Sequence, residues 1–396
     1  MVKPYARKIA VATTCTAISN ISRTWEECWN ALCKGESLFN TGESISHNWP
    51  QTPPLSMVEN RGGWNEQPEF LYRFKTLIQT VGYDMRGLID ELESRNKGIR
   101  IHVISATCHS DPGPLTTLVD HCAGLTPSVP DETWDIMHKS SFATFLNESL
   151  GKQLPVSIVS SACASALVAT SYGADMIAAG LCDAVLVVAV DGMSRVAAAG
   201  FHNIGAMTKT VCTPYDVDRT GTTVGEGAVG FLLADEIFLK PEQIYGHIAG
   251  TSIFCDAAHM VEPNPEGVRS VLQEALDQAQ VTPGGIAGIY WHGTGTKHND
   301  KVEAEVSGLM FGGSPPPSTS TKGSLGHTMG ASGAFNVLAA CESNKSGKMT
   351  HVCSLKDLEY PQLDIVRDAP RQIEPGPMLV TALGFGGINA AIVVTP

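Results

Sequence analysis

The stretch Pro155–Asp191, PVSIVSSACASALVATSYGADMIAAGLCDAVLVVAVD, restricts the fold more than any other part of the chain. Val156–Val159 is a short apolar run that reads as a strand, and Ala184–Val190 is another. Between them, the small residues Ser160–Ala166 turn the chain into a helix with apolar positions near Leu167, Met176 and Ile177. Strand, sharp turn, helix, strand is a βαβ unit, which needs a sheet covered by helices. Asp175 and Asp183 interrupt the apolar span, so buried βαβ structure explains it better than a membrane crossing.

Cys163 falls where the first strand gives way to the helix, as a nucleophile does at a strand–helix elbow. Unpaired N–H groups and the positive end of the helix dipole favour a thiolate at such a position. Small neighbours leave room for a carbonyl to approach the sulfur. The same surroundings also suit an inert buried cysteine, so residues elsewhere in the chain must decide.

A chain of 396 residues can bury one large core or two intimate ones. Its net charge of −13 offers no basic field to meet phosphates, which argues against nucleic acid as a partner. The eleven cysteines are odd in number and scattered, with no paired-Cys zinc spacing. Nothing at the N-terminus reads as a signal peptide. A soluble protein of the reducing cytoplasm, with no transmembrane segment, is the expectation.

Further strands are expected at Ile9–Ile18, Ile101–Ala106, Ala228–Ala234, Ile248–Ser252, Ile286–Trp291, Met378–Ala382 and Asn389–Val394. Helices are expected at Trp25–Leu32, Phe70–Leu92, most of 115–152, Val268–Gln278, Lys301–Phe311 and Gly333–Glu342. Gly42–Gly63, rich in Pro, Asn, Gly and Ser, reads as a long surface connection. The second half opens near Tyr245, and both halves mix strands and helices in a similar way.

The second half supplies partners for Cys163. His292-Gly293-Thr294-Gly295-Thr296 directly follows a predicted strand, where glycine turns hold a histidine ready to exchange a proton. Thr319–Gly333 brings Lys322 and His327 together among small residues. It lacks the P-loop spacing, and no dinucleotide fingerprint is present. A cysteine with two histidines suits covalent acyl chemistry and stabilisation of developing negative charge. A cysteine protease fits less well, and a metal site on Cys163, His292 and His327 is not established by spacing.

These motifs together resemble the β-ketoacyl synthases of the Cys-His-His type, in the thiolase-like superfamily. The resemblance runs from about Arg7 to Val394 and rests on five segments. They are Ser161–Ser165, Pro214–Arg219 with Gly225-Glu226-Gly227, His292–Thr296, Lys322 with Gly326-His327, and Gly384–Gly387. The resemblance implies an α/β fold, the duplicated five-layer αβαβα architecture, with residues 1–240 carrying the nucleophile. Residues 241–396 would carry both histidines and a phenylalanine gate.

By motif, Cys163 would accept an acyl group from an acyl carrier protein, and His292 and His327 would stabilise the enolate formed when malonyl-carrier decarboxylates. Lys322 and Glu303 would support the site electrostatically, Phe385 would gate the acyl pocket, and the Cys163 and Phe385 N–H groups would form the oxyanion hole. No metal or redox cofactor is implied. The phosphopantetheine arm arrives on its carrier, or as coenzyme A in relatives. The resemblance also implies a homodimer, or a heterodimer with a chain-length-factor-like subunit.

The chain departs from the family at Val11–Ile18, at Ala164, at Asp111–His138 and at Lys297-His298, which stand where a proline-containing turn is usual. Specialised type II polyketide or aryl-polyene synthesis is the preferred reading. Housekeeping fatty-acid elongation and a noncatalytic assembly subunit are the alternatives. Cys341 and Cys353 are read as packing or surface residues, His259 as a surface-loop residue, and Asp216, Asp218, Arg219 and Glu226 as a turn network.

Overall fold

The structure, a computed structural model, describes residues 3–41, 53–58, 73–109, 113–131, 133–134 and 141–396. The main sheet has eleven strands. The first five are β1 (Ile9–Ile18), β2 (Ile101–Ala106), β3 (Val156–Val159), β4 (Ala184–Asp191) and β5 (Gly227–Asp235). Then come β6 (Ile244–Cys255), β7 (Gly288–Tyr290), β8 (Pro317–Thr319), β9 (Asp364–Ile365), β10 (Met378–Gly384) and β11 (Ile388–Thr395).

Their spatial order is β9-β8-β7-β10-β11-β6-β1-β5-β4-β2-β3. Within it one pattern occurs twice. In the first half β2 pairs in parallel with β3 and β4, and β5 then pairs antiparallel with β4 and β1. In the second half β7 pairs in parallel with β8 and β10, and β11 pairs antiparallel with β10 and β6. With the two-residue edge strand β9 set aside, each half thus places its five strands in the order third, second, fourth, fifth, first. The antiparallel β1–β6 pair joins them.

Helices fill the layers around these strands. They are α1 (Trp25–Lys34), α2 (Arg73–Arg95), α3 (Gly113–Cys122), α4 (Ser141–Leu150) and α5 (Ser165–Ala178). The rest are α6 (Arg195–Asn203), α7 (Pro265–Ala279), α8 (Lys297–Phe311), the short α9 (Lys322–Leu325) and α10 (Ser332–Ser346). Core residues of α5 and α10, such as Leu167, Ile177, Phe335 and Leu338, share one cluster with strands of both halves. On one outer face α2 and α4 pack through Leu77, Val81, Met85 and Leu146, and on the other α7 and α8 pack through Leu272, Leu276 and Val306. The result is α, β, α, β, α.

Composition explains which helices go to the centre. On α10 buried positions run all round the helix, from Gly333 and Phe335 to Val337, Leu338 and Cys341, as expected of a helix with no solvent face. α5 and α10 also approach closely: a Cβ on Gly333 would sit 2.9 Å from Leu167 Cγ. That contact joins the helix that follows Cys163 to the helix that follows His327.

The strands of the βαβ unit, β3 and β4, flank β2 and both run parallel to it. Some local expectations need revision. β6 is longer than the predicted strand and β7 shorter. α8 begins at Lys297, so Lys297 and His298 are its first turn, not a turn before it. Of the expected surface connection Gly42–Gly63 only residues 53–58 are described, and there Leu55, Ser56 and Val58 are buried. Ser56 donates its N–H to Val224 O at 2.9 Å, so this piece belongs to the interior. Among the described residues no helix is long and apolar enough to cross a membrane.

Candidate active site

The turn before Cys163 is held by one hydroxyl. Ser165 Oγ accepts the Ser161 N–H at 2.8 Å and donates to Ala162 O at 2.6 Å. Ala162, at φ 48°, takes the left-handed backbone that an elbow of this kind requires. Cys163 is buried, and the N–H groups of Phe385 and of Cys163 itself reach its sulfur. The expected preference for thiolate is overturned. Burial pushes the thiol up to about 12, outweighing the Lys322 charge that lowers it, while Asp191 raises it further. Desolvation of a wholly enclosed sulfur exceeds what a helix terminus supplies.

His327 Nε2 lies 3.1 Å from Cys163 Sγ. On the other side of the ring, Nδ1 accepts the Met329 N–H at 3.2 Å and stands 3.0 Å from Ser332 Oγ. An imidazole nitrogen that accepts a backbone N–H carries no hydrogen, so the proton of neutral His327 is on Nε2 and points at the sulfur. Burial first, then Lys322 and His109, hold His327 well below the usual histidine range. Sequence alone does not single out Met329 or Ser332, although both lie in the glycine-rich stretch around His327.

His292 faces His327 edge to face, with ring centroids 5.2 Å apart. Lys322 Nζ lies 3.4 Å from His292 Nδ1 and donates to the His292 carbonyl. Burial, Lys322 and His327, in that order, depress the His292 pKa. Both imidazoles are therefore neutral donors at ordinary pH.

Behind His292, Glu303 accepts the Tyr215 hydroxyl at 2.9 Å, the Gly293 N–H at 3.0 Å and Asn299 Nδ2 at 2.8 Å. Asp300 accepts the Tyr215 N–H at 2.8 Å and pairs with Arg219 Nε at 3.1 Å. Burial pushes Asp300 up to about 6 and drives Glu303 up and Lys322 down. Arg219, read from sequence as part of a turn network, and its neighbour Tyr215 thus brace the loop that presents His292. Glu226 is buried elsewhere, accepting the N–H groups of Val58 and Met193.

The reactive groups line a cavity of about 310 Å³. Phe385 and Phe201 stand beside them with ring centroids 5.6 Å apart, and Phe201 also packs edge-on against His327. Thr294 and Thr296, whose hydroxyls are 2.8 Å apart, line the wall. Exposed His259, Lys297 and His298 rim the mouth. His259, read from sequence as a surface-loop residue with approach to the carrier's arm as the alternative, lines this cavity, and its Nδ1 accepts the Val261 and Glu262 N–H groups at 3.3 and 3.0 Å. Cys341 and Cys353 are buried away from it.

The ligand atoms of Cys163, His292 and His327 lie within 4.8 Å of one another. His327, however, meets the sulfur with its hydrogen-bearing nitrogen, which has no lone pair to give a metal. The cluster is arranged to donate hydrogen bonds to an oxygen or sulfur brought between its members.

Residues 86–236 match the N-terminal domain of β-ketoacyl synthases, and residues 245–356 match the C-terminal domain. The chain belongs to the β-ketoacyl synthase family. All three residues of the family's Cys-His-His set are thus present and adjacent in this member. It is 32% identical over 245 residues to 3-oxoacyl-[acyl-carrier-protein] synthase 2 of Mycobacterium bovis, covering 59% of each chain. It therefore spans about three fifths of that relative's length.

It is also 28% identical over 291 residues to the tetracenomycin polyketide synthase ketoacyl synthase alpha subunit of Streptomyces glaucescens, covering 70% of this chain and 67% of the relative. A solved structure, the ishigamide ketosynthase/chain length factor, superposes with a TM-score of 0.88 at 26% identity, over 98% of this chain and 99% of that one. The five-layer thiolase-like fold of this synthase family is the fold described above.

Proposed function

We propose that this chain is a β-ketoacyl synthase that condenses a Cys163-bound acyl group with malonyl-acyl carrier protein. The observation that carries the reading is His327 Nε2–H, 3.1 Å from Cys163 Sγ, with neutral His292 alongside in the same cavity. Two neutral N–H donors beside a thiol suit enolate formation better than base-activated hydrolysis.

In the first step Cys163 attacks the acyl thioester. Its proton passes to the departing carrier sulfur, and the tetrahedral oxyanion is met by the N–H groups of Cys163 and Phe385. In the second step malonyl-carrier loses carbon dioxide. The electron pair left behind becomes an enolate whose oxygen accepts hydrogen bonds from His292 and His327. The enolate carbon then attacks the Cys163 thioester, forming the new carbon–carbon bond and expelling the Cys163 thiolate, which takes up a proton. Lys322 and Glu303 act through His292 and its loop, and Phe385 separates the malonyl side from the acyl side.

A carrier-borne phosphopantetheine arm fits the cavity, with Thr294 and Thr296 available to its amides. At the far end of the sheet, β3 is an edge strand beside exposed Ile158, Tyr172 and Leu181. Such an edge calls for cover, which supports a dimer formed with a second copy or with a chain-length-factor-like subunit. Residues 1–240 then form the half carrying the nucleophile, and residues 241–396 the half carrying both histidines and the gate. Specialised type II polyketide or aryl-polyene synthesis in the cytoplasm is the preferred setting, and the eleven unpaired cysteines are consistent with a reducing compartment.

The test is intact-protein mass spectrometry with acyl-carrier substrates on the native chain and on Cys163→Ala. A Cys163-dependent acyl adduct, followed by carbon dioxide release and a two-carbon extension when malonyl-carrier is added, is the expected result. Absence of both with short, long and polyenoyl carriers, alone or with the natural partner, overturns the reading.

A further inference from the structure

One carboxylate reaches both sides of this site without touching the reacting atoms. Asp191 closes β4 and is fully buried. Its Oδ1 accepts the Thr107 hydroxyl at 2.8 Å and the His109 N–H at 3.3 Å, and the Cys108 N–H lies 3.0 Å from Oδ1 and 2.8 Å from Oδ2. Oδ2 also accepts the Gly330 N–H at 2.7 Å. His109 Nδ1 lies 3.8 Å from Oδ1. The hydrogen-bonding partners are all donors, a set that two carboxylate oxygens accept and the single oxygen of a carboxamide cannot.

The two groups of partners support different parts of the site. Cys108 O accepts the Ser160 hydroxyl at 3.2 Å, and Thr107 O lies 3.2 Å from Ser165 Oγ, whose hydrogen is on Ala162 O, so the Thr107–His109 turn leans on the elbow that carries Cys163. Gly330 follows Met329, whose N–H fixes His327 Nδ1 and whose φ of 48° is a conformation that side chains rarely adopt. A strained residue stays put only when its neighbours hold it there. The bond from Gly330 to Asp191 is that hold. The space is correspondingly tight: a Cβ on Gly330 would sit 2.7 Å from both Asp191 Oδ2 and Cys108 N.

We propose that Asp191 is a positioning residue, whose carboxylate clamps Gly330 to the Thr107–His109 turn and so keeps the His327 Nε2–H aimed at Cys163. Without the clamp the Met329 N–H drifts from Nδ1, the imidazole is free to carry its hydrogen on either nitrogen, and the donor to the enolate oxygen is lost for part of the time. The Cys163 elbow keeps its own Ser165 bonds, so acylation suffers less than decarboxylation. The rate readout rests on the ketosynthase reading, but the structural readout does not.

The experiment is nitrogen NMR of the full chain labelled with 15N-histidine, with His327 assigned by the signals lost in His327→Ala. In the native protein His327 should carry hydrogen on Nε2 and none on Nδ1. Asp191→Asn should move both nitrogens toward a tautomer mixture. It should also slow decarboxylation of malonyl-carrier about tenfold to a hundredfold, with a smaller loss in acylation. Gly330→Ala presses on the same clamp from the other side and should give the same signature. A native His327 protonated on Nδ1 overturns the proposal, even if no variant folds. Folded variants that keep the native nitrogen signals overturn it too. If no carrier substrate is turned over, the ketosynthase reading fails while the nitrogen signals still decide the clamp.

Discussion

Lys322 Nζ and His292 Nδ1 lie 3.4 Å apart, both buried, with the same ammonium also held by the His292 carbonyl. A cation placed against an imidazole keeps that imidazole from accepting a proton. The Lys322 charge also favours thiolate at Cys163.

Lys322→Met keeps the side-chain stem and removes the charge. Because burial and then Lys322 hold the His292 pKa down, the variant should raise it toward the ordinary histidine range. Decarboxylation of malonyl-carrier should then fall by about 10²-fold. Its acid limb should also move to higher pH than that of the native protein. A pH–rate profile checks this, and superimposable limbs in the two proteins would count against it.

Alkylation of Cys163 by iodoacetamide, followed on its own peptide by mass spectrometry, should rise with pH throughout the range from about 7 to 10. The sign follows from burial, which disfavours the thiolate and pushes the thiol up to about 12. A plateau near neutral pH would mean a thiolate formed by the helix terminus instead.

Arg219→Ala leaves Asp300 buried without its cation. Their side chains are both wholly enclosed and paired at 3.1 Å. Removing one member of such a pair costs about 3–5 kcal/mol, so the urea midpoint should fall markedly. Asp300 is the acid whose folded pKa burial pushes up to about 6. Its ionisation opposes folding as pH rises from the unfolded carboxylate range to about 6, and because Arg219 lowers that pKa, a pH series of midpoints should show Arg219→Ala still losing stability above about 6, where the native chain has levelled off.

Thr296→Val removes a hydroxyl from the cavity wall while keeping its shape. If the wall holds the carrier's arm, KM for malonyl-carrier should rise about fivefold to tenfold with kcat nearly constant, the value of one neutral hydrogen bond. Steady-state kinetics separates this from a loss of chemistry, in which kcat would fall instead.

The amino-acid sequence by itself determined the strand–helix order, the elbow around Cys163, and the two glycine-framed histidine segments, because each is written in neighbouring residues. Side-chain periodicity and turn residues act over a few positions, and so they can be read without a fold. The family resemblance named the same Cys163, His292 and His327 that the tertiary structure brings within 4.8 Å.

Other properties required the folded chain. That β2 separates β3 from β4 is a choice of partner among distant strands, which local pattern does not encode. The neutral state of Cys163 comes from desolvation by residues far away in sequence, and a helix-terminus argument points the wrong way without that burial. The His327 tautomer depends on the Met329 N–H, and Met329 is held through Gly330 by Asp191, 139 residues away in the chain. Propensities are local quantities, whereas desolvation and hydrogen-bond closure belong to the assembled interior, so the tertiary structure alone decided them.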